Sequence, residues 1–242
     1  MKPDLRRLPG LLGRALLLEP DPYTELKEAP NPFVEGAFLV VIVGLAVAVA
    51  GLVGSVLAWA SSPDLAAVKQ IVYENLVKMP WYLQMEEEMG SRFVQDFNHW
   101  YDQGWQIFPV LFGAPSPLLS LANIVLTPLS LILSWLVYGV IAHFVARFLK
   151  GRATLAQTLG CTALAVAPQL LNLITVLPFV TVGAVVGTWT LLCRYRGLKE
   201  AHTLPWGRAF IATVLPTLII YLLIALLGIA AAITLGPAIA GR

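Results

Sequence analysis

The sequence predicts an all-α, polytopic membrane helix bundle: five transmembrane helices, with an amphipathic interfacial helical loop between the first and second. Two observations carry that class. Four stretches, Gly36–Ala60, Gln103–Ala146, Leu155–Cys193 and Ala209–Gly241, contain no Asp, Glu, Lys or Arg, whereas helices of water-soluble domains need a solvated face. Composition agrees: 58% hydrophobic residues against 12% charged exclude a soluble or disordered chain.

Residues 1–35 come first, as an N-terminal segment before the membrane domain of residues 36–242. Lys2, Arg6 and Arg7 precede the apolar Leu8–Leu18, but Arg14 interrupts that run. Leu18-Glu19-Pro20 stands where a signal peptide would have its small-residue cleavage site, which argues against a removable leader. The expectation is an amphipathic segment on the inner leaflet, its leucines in lipid and its arginines near head groups.

The spans then fall at roughly 36–60, 117–146, 155–176, 179–194 and 209–238, because a hydrocarbon core about 30 Å thick needs about 20 apolar residues per helix. Pro178 marks the turn that splits the long run Leu155–Cys193 into two short helices. The segments before the first span (Lys2, Arg6, Arg7, Arg14, Lys27), after the second (Arg147, Lys150, Arg152) and after the fourth (Arg194, Arg196, Lys199, Arg208) hold twelve of the 16 Lys and Arg residues. By the positive-inside rule these face the cytoplasm, and the C-terminus faces outward.

The loop of residues 61–116 is patterned. Ser62-Pro63-Asp64 reads as a helix start, with a hydroxyl cap and proline in the first turn. Leu65, Val68, Val72, Leu76 and Met79 share one face of the helix that follows. Beyond Pro80, Met85, Met89, Phe93, Phe97, Tyr101 and Trp105 recur at four-residue steps and predict a helix over 85–108 lying flat in the outer interface. Trp81, Tyr82, Phe93, Phe97, Trp100, Tyr101 and Trp105 are its candidate contacts, with lipid or with a partner.

Within the spans, small residues repeat at four-residue intervals: Ala46, Ala50 and Gly54; Gly183 and Gly187; Gly228, Ala232 and Gly236. They are candidate positions for close helix packing, within the chain or between chains. Polar residues are mild, among them Asn123, Thr127, Ser130, Ser134, Gln157, Thr158, Thr162, Gln169 and Asn172. Pro128, Pro168 and Pro216 interrupt three spans, yet no inverted repeat accompanies them and no charged side chain falls within the membrane core, Arg194 standing at the inner end of the fourth span. An ion-coupled transporter is therefore disfavoured.

Catalysis finds no footing either. His143 and His202 lie near the inner face and His99 in the outer loop, without the further ligands a metal needs. Glu86-Glu87-Glu88 reads as a solvated charge run. Cys161 and Cys193 predict neither a disulfide nor a metal pair. Phosphate-loop, zincin and nucleophile-elbow motifs are missing. The expectation is a protein without catalytic residues, cofactor or metal, and a net charge of +2 gives no reason for nucleic acid.

Three segments resemble the Yip family, in its prokaryotic branch. Ala15–Glu35 looks like the leucine-rich, acid-proline, aromatic lead into the first span. Tyr138-Gly139, His143, Arg147, Gly151, Thr154-Leu155, Thr158-Leu159 and Pro168 resemble its second turn and third span. Trp189 to His202 resembles the basic exit from the fourth span. The resemblance implies a five-helix membrane domain with a cytoplasmic N-terminus and an outward C-terminus, and no chemical reaction. Eukaryotic relatives bind Rab GTPases, but this N-terminal region is short and lacks their tyrosine-proline-rich motifs. The expectation is a scaffold or membrane-organising protein of a prokaryotic plasma membrane, in contact with the bilayer and with other membrane proteins or itself. The alternatives are an accessory subunit of a larger complex and a channel or transporter for a neutral solute.

Overall fold

The computed structural model describes residues 7–61, 64–111, 117–177 and 180–240. Every regular element among them is a helix: α1 (Leu8–Leu16), α2 (Asp21–Glu28), α3 (Pro32–Ser61), α4 (Leu65–Leu76), α5 (Pro80–Met89), α6 (Ser91–Leu111), α7 (Pro117–Phe148), α8 (Leu155–Ala163), α9 (Gly183–His202) and α10 (Trp206–Ala240). A 3-10 helix, Leu164–Val176, continues α8.

Four helical segments are long and apolar enough to cross a bilayer: Pro32–Ser61, Ser120–Phe148, Leu155–Val176 and Trp206–Ala231. The fourth of the five predicted spans, 179–194, is not among them. Pro178 and Phe179 lie outside the described residues, and α9 begins only at Gly183 and continues to His202 through Arg194, Arg196, Lys199 and Glu200. Its charge-free part, Gly183–Cys193, rises only about 16 Å, roughly half a hydrocarbon core.

The third span crosses by an unusual route. Pro168 lacks an N–H, so the α-helical ladder fails around it, and residues Leu164–Val176 wind as the tighter 3-10 helix. At about 2.0 Å per residue instead of about 1.5 Å, this lengthens the 22-residue segment. α8 starts from a capping box: Thr154 Oγ1 accepts from the Gln157 amide at 3.2 Å, and Gln157 Oε1 accepts from the Thr154 amide at 3.0 Å.

Backbones meet where glycines allow it. A Cβ on Gly54 would collide with the Thr175 carbonyl, one on Gly44 with Pro128, and one on Gly160 with Pro32. Gly54 and Ala50 are buried in α3, and Gly54 meets the backbone of the third span. Gly183, Gly187 and Gly228 behave differently: nothing lies within 4 Å of a Cβ built on them. The surroundings of Ala232 and Gly236 lie outside the described residues.

The N-terminal helices belong to this core. Leu8, Leu11, Leu12 and Ala15 of α1, with Tyr23 and Leu26 of α2, are buried against α3, α8 and the 3-10 helix. Leu8, Leu11 and Leu12, expected in lipid, thus cover protein, while Leu17 is exposed. Side chains pin the segment in place. Trp189 Nε1–H donates to the Leu16 carbonyl at 2.7 Å, Lys27 Nζ to the Glu200 carbonyl at 3.1 Å and the Cys161 thiol to the Tyr23 carbonyl at 3.3 Å. α1, α2, the α7–α8 turn and the end of α9 thus form one packed, basic end of the bundle. Towards the other end α7 and α10 turn apolar residues outward, among them Leu129, Leu133, Leu218 and Leu222, a surface suited to hydrocarbon.

Candidate functional site

Where α7 turns into α8, the basic end holds a small polar network. Thr158 Oγ1 lies 2.9 Å from His143 Nδ1 and 2.9 Å from His202 Nε2, and it donates to the Thr154 carbonyl at 2.9 Å. His202 Nδ1 accepts the Ala153 amide at 3.3 Å, so its proton belongs on Nε2, aimed at Thr158. The imidazole is buried among apolar residues. Burial first, then the positive side chains around it and His143, lower its pKa to about 4. Gly151 is required here, because a Cβ would strike the His202 ring. His143 and His202, both expected near the inner face, meet here, their ring centroids 5.6 Å apart.

Deeper in the bundle the structure corrects the reading of Arg194 as a loop residue. Its guanidinium lies 3.9 Å over the Tyr138 ring, and Tyr138 is buried, its hydroxyl donating to the Thr213 carbonyl at 3.2 Å. Tyr138 stands ten residues before the end of α7, about 15 Å along the helix. The expectation of no charged group inside the bundle is therefore overturned. Beside Arg194 is a cavity of about 50 Å³ lined by Ser134, Trp135, Thr162, Gln169 and Thr190 as well as apolar groups.

The outer loop departs from its prediction in three ways. Asp64 caps α4, accepting the Ala66 amide at 2.9 Å; Ser62 and Pro63, read as part of that start, lie outside the described residues. The helix predicted over 85–108 is broken at Gly90, whose φ of +63° ends α5 before α6 begins. Finally, much of the aromatic stripe covers the loop itself. Tyr82 is buried beneath Phe93 and Phe97, with centroids 5.2 and 4.9 Å away. Phe97 stacks on Tyr101, and Tyr73 of α4 closes the cluster, its hydroxyl donating to Asn98 Oδ1 at 2.8 Å. Trp105 adjoins Tyr101. Trp81 and, above all, Trp100 remain exposed, the latter at 69%.

These features sit on a recognisable framework. The model of the Yip1 domain matches residues 14–227. The chain belongs to the Yip1 domain family. Nothing among curated proteins or solved structures matches it. The Yip1 match takes in both the histidine–threonine network and Arg194, and it covers α2 through most of α10. It also makes this a membrane protein of a family not known as enzymatic. Among the described residues no three His, Cys, Asp or Glu side chains are grouped to hold a metal. Thr158 and His143 fall in the family-like segment of the sequence, but their link to His202 and the placing of Arg194 on the Tyr138 ring were missed. No spacing signals either, since Tyr138 and Arg194 are far apart in the chain.

Proposed function

We propose that this Yip1 protein is a non-enzymatic membrane organiser, a scaffold that holds other membrane proteins through the α4–α6 hairpin and through small-residue helix faces left open. The observation that carries the reading is the hairpin's own aromatic core, which leaves Trp81, Leu83, Met89, Trp100 and Ile107 outward as an apolar, ordered surface. A loop needing only to reconnect two spans has no use for such a core, and ordered exposed aromatics are typical interface anchors. Gly183 and Gly187, open on α9, offer a second place for a neighbouring helix to approach. Affinity purification of the tagged protein from native membranes tests it. A defined set of membrane proteins should co-purify and be depleted by Trp81→Ala with Trp100→Ala; an unchanged set sinks the hairpin's role.

In the orientation proposed here the basic end is cytoplasmic and α9 makes the fourth of five traversals of a prokaryotic plasma membrane. The clustering of basic residues supports the first part. For the second, α9 is a 20-residue helix, antiparallel to the third span, whose Gly197 lies against Cys161. Impermeant labelling decides the orientation: Glu87→Cys should react from outside and Lys150→Cys should not.

A further inference from the structure

Arg194 is a cation without a counter-charge. Among the described residues no carboxylate pairs with it, and the ring beneath its guanidinium is that of Tyr138. Its neighbour Arg196, by contrast, has a carboxylate, with Glu200 Oε1 3.3 Å away. A charge drawn into a protein interior is costly unless something of opposite sign meets it, and a ring face compensates only part of that cost.

The cavity beside Arg194 shows what would meet it. Ser134 and Thr162 have spent their hydroxyl protons on their own helices, donating to the carbonyls of Leu131 at 3.0 Å and Thr158 at 2.8 Å. Three donors remain uncommitted there. The Thr190 hydroxyl is buried and unpartnered, and it stands one turn before Arg194 on α9. Gln169 Oε1 accepts from Asn172 at 2.8 Å, which leaves its amide N–H groups free. The third is the Arg194 fork itself. A pocket with three uncommitted donors, one of them a guanidinium without a carboxylate partner, repels cations and favours an acceptor-rich anion.

We propose that Arg194, Thr190 and Gln169 form an oxyanion-binding site, taking the phosphate of an anionic lipid headgroup or a small free oxyanion. The guanidinium grips two oxygens, the Tyr138 ring holds its plane in place, and Thr190 and Gln169 add single hydrogen bonds. The volume, about 50 Å³, suits one tetrahedral oxyanion group and not a whole headgroup. Arg194 is eight residues from the end of α9 at His202, about 12 Å along the helix, so a phosphate reaches it from the leaflet on the basic side.

The full chain, purified in nanodiscs, tests this in two arms. In the first, nanodiscs of phosphatidylcholine with phosphatidylglycerol are released for native mass spectrometry. In the second, nanodiscs of phosphatidylcholine alone are titrated with inorganic phosphate while thermal unfolding is followed. Retention of phosphatidylglycerol over phosphatidylcholine, falling at least about tenfold in Arg194→Gln and several-fold in Thr190→Val, identifies a lipid phosphate. A phosphate-dependent rise in melting temperature that both variants lose, without lipid retention, identifies a free oxyanion. Arg196→Gln, outside the cavity, should behave as wild type. Thr190→Val removes one donor at nearly constant shape, so it decides the matter should Arg194→Gln fail to fold. No selective retention and no phosphate effect in wild type, or effects unchanged in Thr190→Val and in any folded Arg194→Gln, overturn the proposal.

Discussion

His202 makes the stability of this protein depend on pH. In the folded chain its pKa lies at about 4, against 6.5 for an unperturbed histidine. Protonation would place a charge beside Arg147, Lys27 and His143 and destroy the acceptor that Ala153 uses at 3.3 Å. The sign follows from the depressed value: the unfolded chain binds the proton first. Stability is complete above about pH 6.5, falls as pH drops, and levels off below about pH 4. The gap corresponds to about 3 kcal/mol, with a slope approaching about 1.4 kcal/mol per pH unit between those limits. Other groups also titrate in that range, so the quantity to measure is the difference between wild type and His202→Gln. Unfolding in detergent, followed by circular dichroism from pH 7.5 to 4.5, supplies it. The variant is expected to be weaker at neutral pH and to have a flatter profile below it. Parallel profiles between pH 6.5 and 5 would refute the assignment of a neutral, buried imidazole.

Other substitutions probe the packing. Gly54→Val drives side-chain carbons into the Thr175 carbonyl and should destabilise by about 2 kcal/mol or more, whereas Gly187→Val, with open space around it, should leave the melting temperature of the monomer unchanged. Thr154→Ala removes the oxygen that caps α8 and should cost about 1 kcal/mol, read by the same melts. Phe97→Ala takes the centre from the hairpin cluster and should cost about 2 kcal/mol, less than a fully buried ring because Phe97 is half-buried. Hydrogen exchange should show that loss confined to α4–α6, and spread over the whole bundle would contradict a separate core.

The helical membrane class, four of the spans and the amphipathic nature of α1 and α6 were determined by the sequence alone. Each depends on which residues neighbour one another along the chain, and a charge-free run or a four-residue repeat is a local property. Tertiary structure decided which partner each face found. The leucines of α1 needed an apolar surface, and the chain itself supplied one. Gly54 met another helix backbone, whereas Gly183, Gly187 and Gly228 have open space around them. Phe93, Phe97 and Tyr101 had the stripe of an interfacial helix, but Gly90 let α5 fold back and lay Tyr82 over them. Arg194 and His202 were least legible of all. Hydropathy treats a charge near a helix end as solvated, and only the tertiary fold set Arg194 on the Tyr138 ring and buried His202 beside Thr158. Solvation is a property of the surrounding volume, and that volume is built from residues distant in the chain.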